Sequence, residues 1–145
     1  LFIGIPKETS YQEKRICLTP DAVNSLTSHG HKVIIESGAG LSSSYSDVEY
    51  SDAGATITQD VKKVLSCPMI LKVEPPTLTE IEMMNQQTIV ISAIQLKTQK
   101  KEYFEALAVK RITALAFEYI KQTLQLYPLY LHRLGYVQLL KRLPL

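Results

Sequence analysis

The chain of 145 residues contains no tryptophan and only two cysteines. Cys17 and Cys67 are too few for the disulfide framework of a small secreted protein, and they form no Cys-x-x-Cys metal-binding pair. No apolar run reaches the roughly 18 residues that a membrane-spanning helix needs. The first residues lack the basic start and apolar stretch of a signal peptide, so we expect a cytoplasmic protein.

Negative charge is missing from the C-terminal part of the chain. All 14 acidic residues lie at or before Glu118, whereas positions 119–145 hold four basic residues and nine leucines. The whole chain, with 16 basic and 14 acidic residues, is too balanced to indicate a nucleic-acid-binding protein. The basic, leucine-rich segment is interpreted as a docking helix; a helix on a membrane surface and a segment without native-like structure are the alternatives. Pro128 and Pro144 would break any long helix there.

The rest of the composition predicts one globular α/β domain. Apolar residues make up 46% and charged residues 21%, close to the averages for soluble proteins, and the length corresponds to about one domain. Apolar strands alternate with helical patterns, which predicts a doubly wound, mostly parallel sheet of flavodoxin or Rossmann type with helices on both faces. The predicted strands are 2–5, 32–36, 55–57, 69–73, 88–93 and 112–117.

Helix starts are marked by capping residues. Thr19 is a suitable N-cap before Pro20, and Gly30 suits the position after the helix end. Ser46–Glu49 and Thr77–Glu80 have the spacing of capping boxes, in which the side chains at both positions bind orphan backbone N–H groups. Further helical patterns surround 61–65 and span 101–109.

A glycine-rich segment, Gly38–Gly40, follows the second strand and invites comparison with a dinucleotide-binding loop. Ser43 replaces the third glycine, and the next helix start comes only at Ser46. We therefore interpret the segment as a plain turn, and we predict neither a cofactor site nor a metal site in this chain. In a doubly wound sheet, ligands gather at the carboxyl ends of the strands. The loops that carry Arg15 or follow Val73 and Ala93 are accordingly the candidates for a binding site.

Several short motifs occur in one order and spacing, and together they are highly specific. The chain resembles the amino-terminal domain of alanine dehydrogenase and of the nicotinamide nucleotide transhydrogenase alpha subunit over residues 2–122. The segments that carry the resemblance are Gly4-Ile5-Pro6-Lys7-Glu8, Arg15-Ile16-Cys17-Leu18-Thr19-Pro20, Gly30-His31-Lys32-Val33, Glu36-Ser37-Gly38-Ala39-Gly40, Ala53-Gly54-Ala55, Ile70-Leu71-Lys72-Val73-Glu74-Pro75 and 112–118.

The resemblance implies a substrate-side domain that works with a separate Rossmann domain, which binds NAD. Alanine dehydrogenase interconverts L-alanine with pyruvate and ammonia, whereas the transhydrogenase passes hydride between nucleotides. The implied partners are a small 2-amino or 2-oxo acid, the NAD-binding domain and further copies of the chain. Residues 1–122 would form the domain, and 123–145 would be a remnant of the connection to a missing NAD-binding domain. The 145-residue chain alone is expected to lack dehydrogenase activity.

By resemblance, Arg15 and Lys72 bind the substrate. A guanidinium can hold a carboxylate through two parallel charge-assisted hydrogen bonds, which a lysine cannot copy. The alternative for Arg15 is a surface ion pair with Glu8 or Glu13. The alternative for Lys72 is a solvated or ion-paired lysine without a substrate role.

Two positions depart from the alanine dehydrogenase pattern. Gln95 stands where the family has its catalytic histidine, and a glutamine can hydrogen-bond a carbonyl but cannot exchange a proton; losing a general acid–base typically costs about 10²–10⁴-fold. Glu74 aligns with the family's second lysine, and a carboxylate there would oppose a substrate carboxylate about 4 Å away by about 4 kcal/mol at an effective dielectric of 20. On a strand, Lys72 and Glu74 would share a face, so either Lys72 supplies the cation instead or a one-residue gap in the alignment restores the match to the family's lysine. A transhydrogenase alpha-subunit fragment and a non-catalytic binding module on the same fold are the alternative functions.

Overall fold

The computed structural model describes residues 1–120, and the predicted tail, residues 123–145, lies outside the described residues. Strands and helices alternate along the described chain, with two short 3-10 turns at Leu41–Ser43 and Phe117–Tyr119. The elements in order are β1 Phe2–Ile5, α1 Pro20–Ser28, β2 Lys32–Glu36, α2 Asp47–Asp52, β3 Thr56–Thr58, α3 Val61–Leu65, β4 Met69–Leu71, α4 Leu78–Met83, β5 Ile89–Ser92, α5 Lys101–Val109 and β6 Thr113–Ala116.

All six strands pair in parallel in one sheet of order β3-β2-β1-β4-β5-β6. This order is that of a Rossmann-type doubly wound fold and confirms the predicted fold class. In the register, Ile3 of β1 lies between Val33 of β2 and Met69 of β4. Each of these three side chains is buried, which explains why the strands read as nearly continuous apolar runs.

Successive side chains of a strand point to opposite faces of the sheet, and both faces are covered by helices. On one face, Ile3 and Ile5 of β1 join a core cluster that includes Val23 and Leu26 of α1. On the other face, Ile70 of β4 clusters with side chains of α3, β5 and the end of α4, namely Leu65, Val90 and Met84. The helices are therefore divided between the two faces.

The predicted helix caps are confirmed. The hydroxyl of Thr19 accepts a hydrogen bond from the backbone N–H of Ala22, and Pro20 is the first helical residue. Both predicted capping boxes, Ser46–Glu49 and Thr77–Glu80, are complete in both directions. Because these signals are local, they locate the helix starts without knowledge of the tertiary structure.

The strand order reverses between β1 and β4, and such a switch point opens a crevice outside the carboxyl ends of the two strands. The segment 6–19 leaves β1 at this point, and Lys72–Thr77 leaves β4 beside it. The loops that carry the predicted site residues thus meet at one edge of the sheet. Among the helices of residues 1–120, none has the length and apolarity needed to cross a membrane.

Candidate functional site

Arg15 lies in the segment between β1 and α1, and it already holds a carboxylate. Its Nε and Nη2 atoms donate to the two carboxylate oxygens of Glu13 at 2.9 and 2.7 Å, and its backbone N–H donates to the same group at 2.7 Å. The Arg15 side chain is 70% exposed, whereas that of Glu13 is only 6% exposed. The guanidinium therefore faces solvent while the carboxylate lies beneath it. The sequence allows Glu8 or Glu13 as the ion-pair partner of Arg15, and the structure contains the pair with Glu13.

Glu74, which follows β4, lies close enough to the Glu13 carboxyl group to influence its pKa. The hydrogen bonds from Arg15 hold the pKa of the Glu13 carboxyl below its ordinary value, and a side-chain hydrogen bond with Glu74 adds to this lowering. Glu74 also accepts a hydrogen bond from the Gln95 side-chain amide at 3.1 Å. Two hydrogen-bonded pairs, Arg15 with Glu13 and Gln95 with Glu74, therefore lie at this edge of the sheet, and these four side chains are called the polar chain below.

Gln95 sits just beyond β5 in an unusual backbone conformation. Its φ is 54°, in the left-handed region that residues other than glycine rarely adopt. The backbone N–H groups of Ile94 and Gln95 donate to the Glu118 carboxylate at 3.2 and 2.7 Å. Glu118 thus fixes the turn that aims the Gln95 amide at Glu74.

Lys72 is buried and paired rather than open to solvent. Its Nζ lies 2.7 Å from Glu80 Oε1 and 3.7 Å from Glu8 Oε2, and its side chain is 1% exposed. The second oxygen of Glu80 accepts the backbone N–H of Thr77 in the capping box of α4. The Lys72–Glu80 ion pair therefore connects the end of β4 to the start of α4. This is the ion-paired arrangement that was considered as the alternative to a substrate-binding Lys72. The substrate role of Lys72 stays a prediction.

Lys72 and Glu74, which were expected to share a strand face, have different side-chain partners. The regular strand β4 ends at Leu71, before either residue. Lys72 then points into the buried pair with Glu80, whereas the half-buried Glu74 binds the exposed Gln95. The Lys72 ammonium is paired with the carboxylates of Glu80 and Glu8.

Glu8 binds the backbone just beyond β4. Its carboxylate accepts the backbone N–H groups of Val73 at 2.6 Å and Glu74 at 3.3 Å, so a side chain binds these two donors. Burial raises the pKa of Glu8, against the opposing influence of Lys72 and of these N–H groups. The sequence offers one signal for this role, since Glu8 ends the motif that begins at Gly4 within β1.

The glycine-rich segment forms a turn around an acidic side chain. Gly38 donates its backbone N–H to Asp47 Oδ1 at 2.8 Å, and the Ser37 hydroxyl donates to Asp47 Oδ2 at 2.7 Å. A carboxylate bound to this loop opposes a pyrophosphate, so the loop does not fit the phosphates of a dinucleotide. Within residues 1–120, no group of three His, Cys, Asp or Glu side chains is placed to hold a metal ion.

The strand order and the polar chain at the switch point define a class of protein, a Rossmann-type α/β domain whose ligand edge carries a carboxylate-binding arginine. A sequence model of the family described as "Alanine dehydrogenase/PNT, N-terminal domain" matches residues 4–129. The chain belongs to this family.

Relatives of known name and structure agree with this assignment. The alanine dehydrogenase of Bacillus subtilis is 36% identical over 122 residues, which are 84% of this chain and 32% of that protein. A solved L-alanine dehydrogenase superposes with a TM-score of 0.80 at 32% identity, covering 85% of this chain and 34% of the other. A transhydrogenase from Sinorhizobium meliloti superposes with a TM-score of 0.78 at 30% identity, covering 84% and 36%. The chain spans about a third of the length of the relatives it matches.

Proposed function

We propose that this chain supplies the substrate side of an NAD-linked oxidoreductase resembling alanine dehydrogenase, which converts L-alanine, NAD and water to pyruvate, ammonia, NADH and a proton. The observation that carries the proposal is the carboxylate already bound by Arg15 at the switch point. Two parallel hydrogen bonds to one carboxylate are the geometry that a small 2-amino or 2-oxo acid requires. Substrate binds by exchanging its carboxylate for that of Glu13.

The two other predicted site residues have different places in this proposal. Gln95 lies at the opposite end of the polar chain from Arg15 and hydrogen-bonds the substrate without exchanging a proton. Lys72 reaches substrate only if its pair with Glu80 opens; in the closed arrangement it positions the β4–α4 loop.

NAD belongs to another domain in this proposal. A phosphate would need free backbone N–H groups in the Gly38–Gly40 turn, but the Gly38 N–H already donates to the Asp47 carboxylate. The matched relatives extend over about three times the length of this chain, which leaves room for a cofactor domain. In the complete cytoplasmic enzyme, NAD, the second domain and further copies of the subunit are the proposed partners.

Arg15→Ala is expected to weaken the binding of L-alanine and pyruvate at least about tenfold, because a charge-assisted hydrogen bond is worth about 1.5–3 kcal/mol. Isothermal titration of both ligands into the 145-residue chain measures this. Lys14→Ala, which removes the neighbouring exposed cation of the same loop, is the matched control and should leave both dissociation constants unchanged. Saturable binding that is equal in the wild type and Arg15→Ala would refute the proposed site.

A transhydrogenase alpha-subunit role is the second candidate, favoured by the nearly equal superposition on the Sinorhizobium meliloti protein. That role does not require an amino-acid site at Arg15. Absence of L-alanine and pyruvate binding in the wild-type chain would therefore favour it, or a non-catalytic binding module on the same fold, over the first proposal.

A further inference from the structure

We propose that Glu8 is a positioning residue of this site: its ionised carboxylate holds the three loops that follow β1, β4 and β5 in the arrangement that binds a small 2-amino or 2-oxo acid. The inference rests on the proposed substrate site at Arg15 and adds its regulation by protons. Glu8 acts through the backbone of neighbouring residues rather than through contact with the ligand.

Glu8 joins the loop after β1 to the loop after β4. It lies in segment 6–19, which follows β1 and carries Arg15. One of its carboxylate oxygens accepts the backbone N–H of Val73 at 2.6 Å, and the other accepts that of Glu74 at 3.3 Å. Val73 is buried, so its N–H cannot bind water when this carboxylate is lost. The two loops therefore keep their relative position only while Glu8 accepts from both residues.

The two residues that Glu8 holds are bound in turn to the loop after β5. The backbone carbonyl of Val73 accepts the N–H of Ala93 at 3.1 Å, and the Glu74 carboxylate accepts the side-chain amide of Gln95 at 3.1 Å. Glu8 is thus separated from the Gln95 loop by a single residue along either route. A displacement of the loop after β4 would move Gln95, which hydrogen-bonds the substrate in the proposed function.

This arrangement requires Glu8 to be ionised. A carboxylate has two accepting oxygens, whereas a protonated carboxyl group turns one of them into an O–H donor. In the protonated state, that donor would face the N–H of Val73 or of Glu74, and one of the two hydrogen bonds would be lost. Protonation of Glu8 therefore loosens the loop after β4.

The groups that face Glu8 set the pH at which this happens. Burial raises the pKa of Glu8, the Lys72 ammonium 3.7 Å away and the two backbone N–H donors lower it, and the Glu80 carboxylate raises it. Burial and the nearby Glu8 carboxylate also raise the pKa of the Cys17 thiol, which stays uncharged. The net shift of the Glu8 pKa is upward, so Glu8 takes up a proton at a higher pH than an ordinary glutamate.

The direction of the pH effect separates Glu8 from Glu13. The hydrogen bonds from Arg15 hold the pKa of Glu13 below its ordinary value, so Glu13 is protonated only at lower pH than Glu8. Protonation of Glu13 would release Arg15 and strengthen ligand binding, since the ligand replaces that carboxylate. Protonation of Glu8 weakens binding instead: affinity is full above the pKa of Glu8 and falls as the pH drops through it.

The first test is the pH dependence of binding by the wild-type 145-residue chain, which needs no variant. L-alanine and pyruvate are titrated calorimetrically between about pH 8 and about pH 4.5, with circular dichroism confirming at each pH that the chain is folded. We expect both dissociation constants to rise at least about threefold as the pH falls. Constants that stay level or decrease on acidification would contradict the inference.

The second test uses Glu8→Gln, which keeps the shape of the side chain but cannot ionise. Its single amide oxygen can accept from only one of the two N–H groups, so both ligands should bind about tenfold more weakly at about pH 8. The dependence on pH should disappear, although every other titratable group is retained. Glu36→Gln is the matched control: Glu36 binds the N–H of Lys7 in the same loop through one oxygen, which a glutamine can replace. This control should bind both ligands as the wild type does at every pH.

The outcomes separate this inference from the proposed function. If Arg15→Ala abolishes binding whereas Glu8→Gln binds like the wild type, the substrate site stands and the positioning role is refuted. If Glu8→Gln weakens both ligands and removes the pH dependence whereas Arg15→Ala has no effect, Glu8 positions the site and the arginine clamp is refuted. A Glu8→Gln chain that binds weakly but keeps the wild-type pH dependence contradicts the role of the Glu8 charge. Absence of binding by the wild type at every pH overturns both proposals.

Discussion

Lys72→Met is expected to lower the free energy of unfolding by about 3–5 kcal/mol, because it leaves two buried carboxylates without their cation. Methionine has nearly the length of lysine, so the change removes the charge and keeps most of the packing. Glu80 lies 2.7 Å from the ammonium and Glu8 lies 3.7 Å from it, and both carboxylates are less than a tenth exposed. The loss should be seen as a lower midpoint in urea with an unchanged slope.

Two controls make this prediction specific to the buried pair. Lys101→Met removes a lysine that is 84% exposed and paired with Glu105, and a surface ion pair of this kind is worth at most about 1 kcal/mol. The double variant Lys72→Met, Glu80→Gln should regain part of the lost stability, since a glutamine keeps the capping box but carries no buried charge. A loss below about 1 kcal/mol for Lys72→Met would show that the lysine is not structural and would favour its predicted contact with substrate.

Gly4→Ala is expected to destabilise the domain by about 3 kcal/mol, at the upper end of the range for overpacking. Gly4 lies in the central strand β1, and a methyl group there would collide with the backbone carbonyl oxygen of Val64 in α3. A backbone atom cannot turn aside as a flexible side chain can, so α3 would have to move away from the sheet.

Gly30→Ala is the matched control for this variant. A methyl group at Gly30 would meet no other atom within 4 Å, but the φ of 82° at this position strains any residue with a side chain. That conformational cost is about 1 kcal/mol. Urea unfolding should therefore rank Gly4→Ala well below Gly30→Ala in stability, and equal losses would contradict the close contact between α3 and β1.

Local signals in the sequence were sufficient for most of the fold. The caps at Thr19, Ser46 and Thr77 depend on side chains within three residues of each helix start, so the sequence alone could locate them. The apolar strand runs and the intervening helices likewise predicted a parallel, doubly wound sheet. The regular strand β4 ends at Leu71 rather than at the predicted Val73, and beyond it the Val73 and Glu74 N–H groups bind Glu8, 65 and 66 residues earlier in the chain.

Less of the site could be predicted from the sequence, because most of its contacts join residues that are far apart in the chain. The pair between Arg15 and Glu13 is local, and the sequence left it open as one alternative. The contact between Gln95 and Glu74 arises because β4 and β5 are neighbours, which brings residues 21 positions apart to one edge. The burial of Lys72 depends on carboxylates from two other elements, and nothing in a strand pattern distinguishes that lysine from a solvated one.

The most direct test of the account is a crystal structure of this chain with L-alanine. The carboxylate of the bound amino acid should lie within hydrogen-bonding distance of Arg15 Nε and Nη2, with the Glu13 side chain displaced from the guanidinium. An Arg15 side chain that still holds Glu13, with the amino acid absent from the switch point or bound elsewhere, would contradict the central claim that this guanidinium is the substrate clamp.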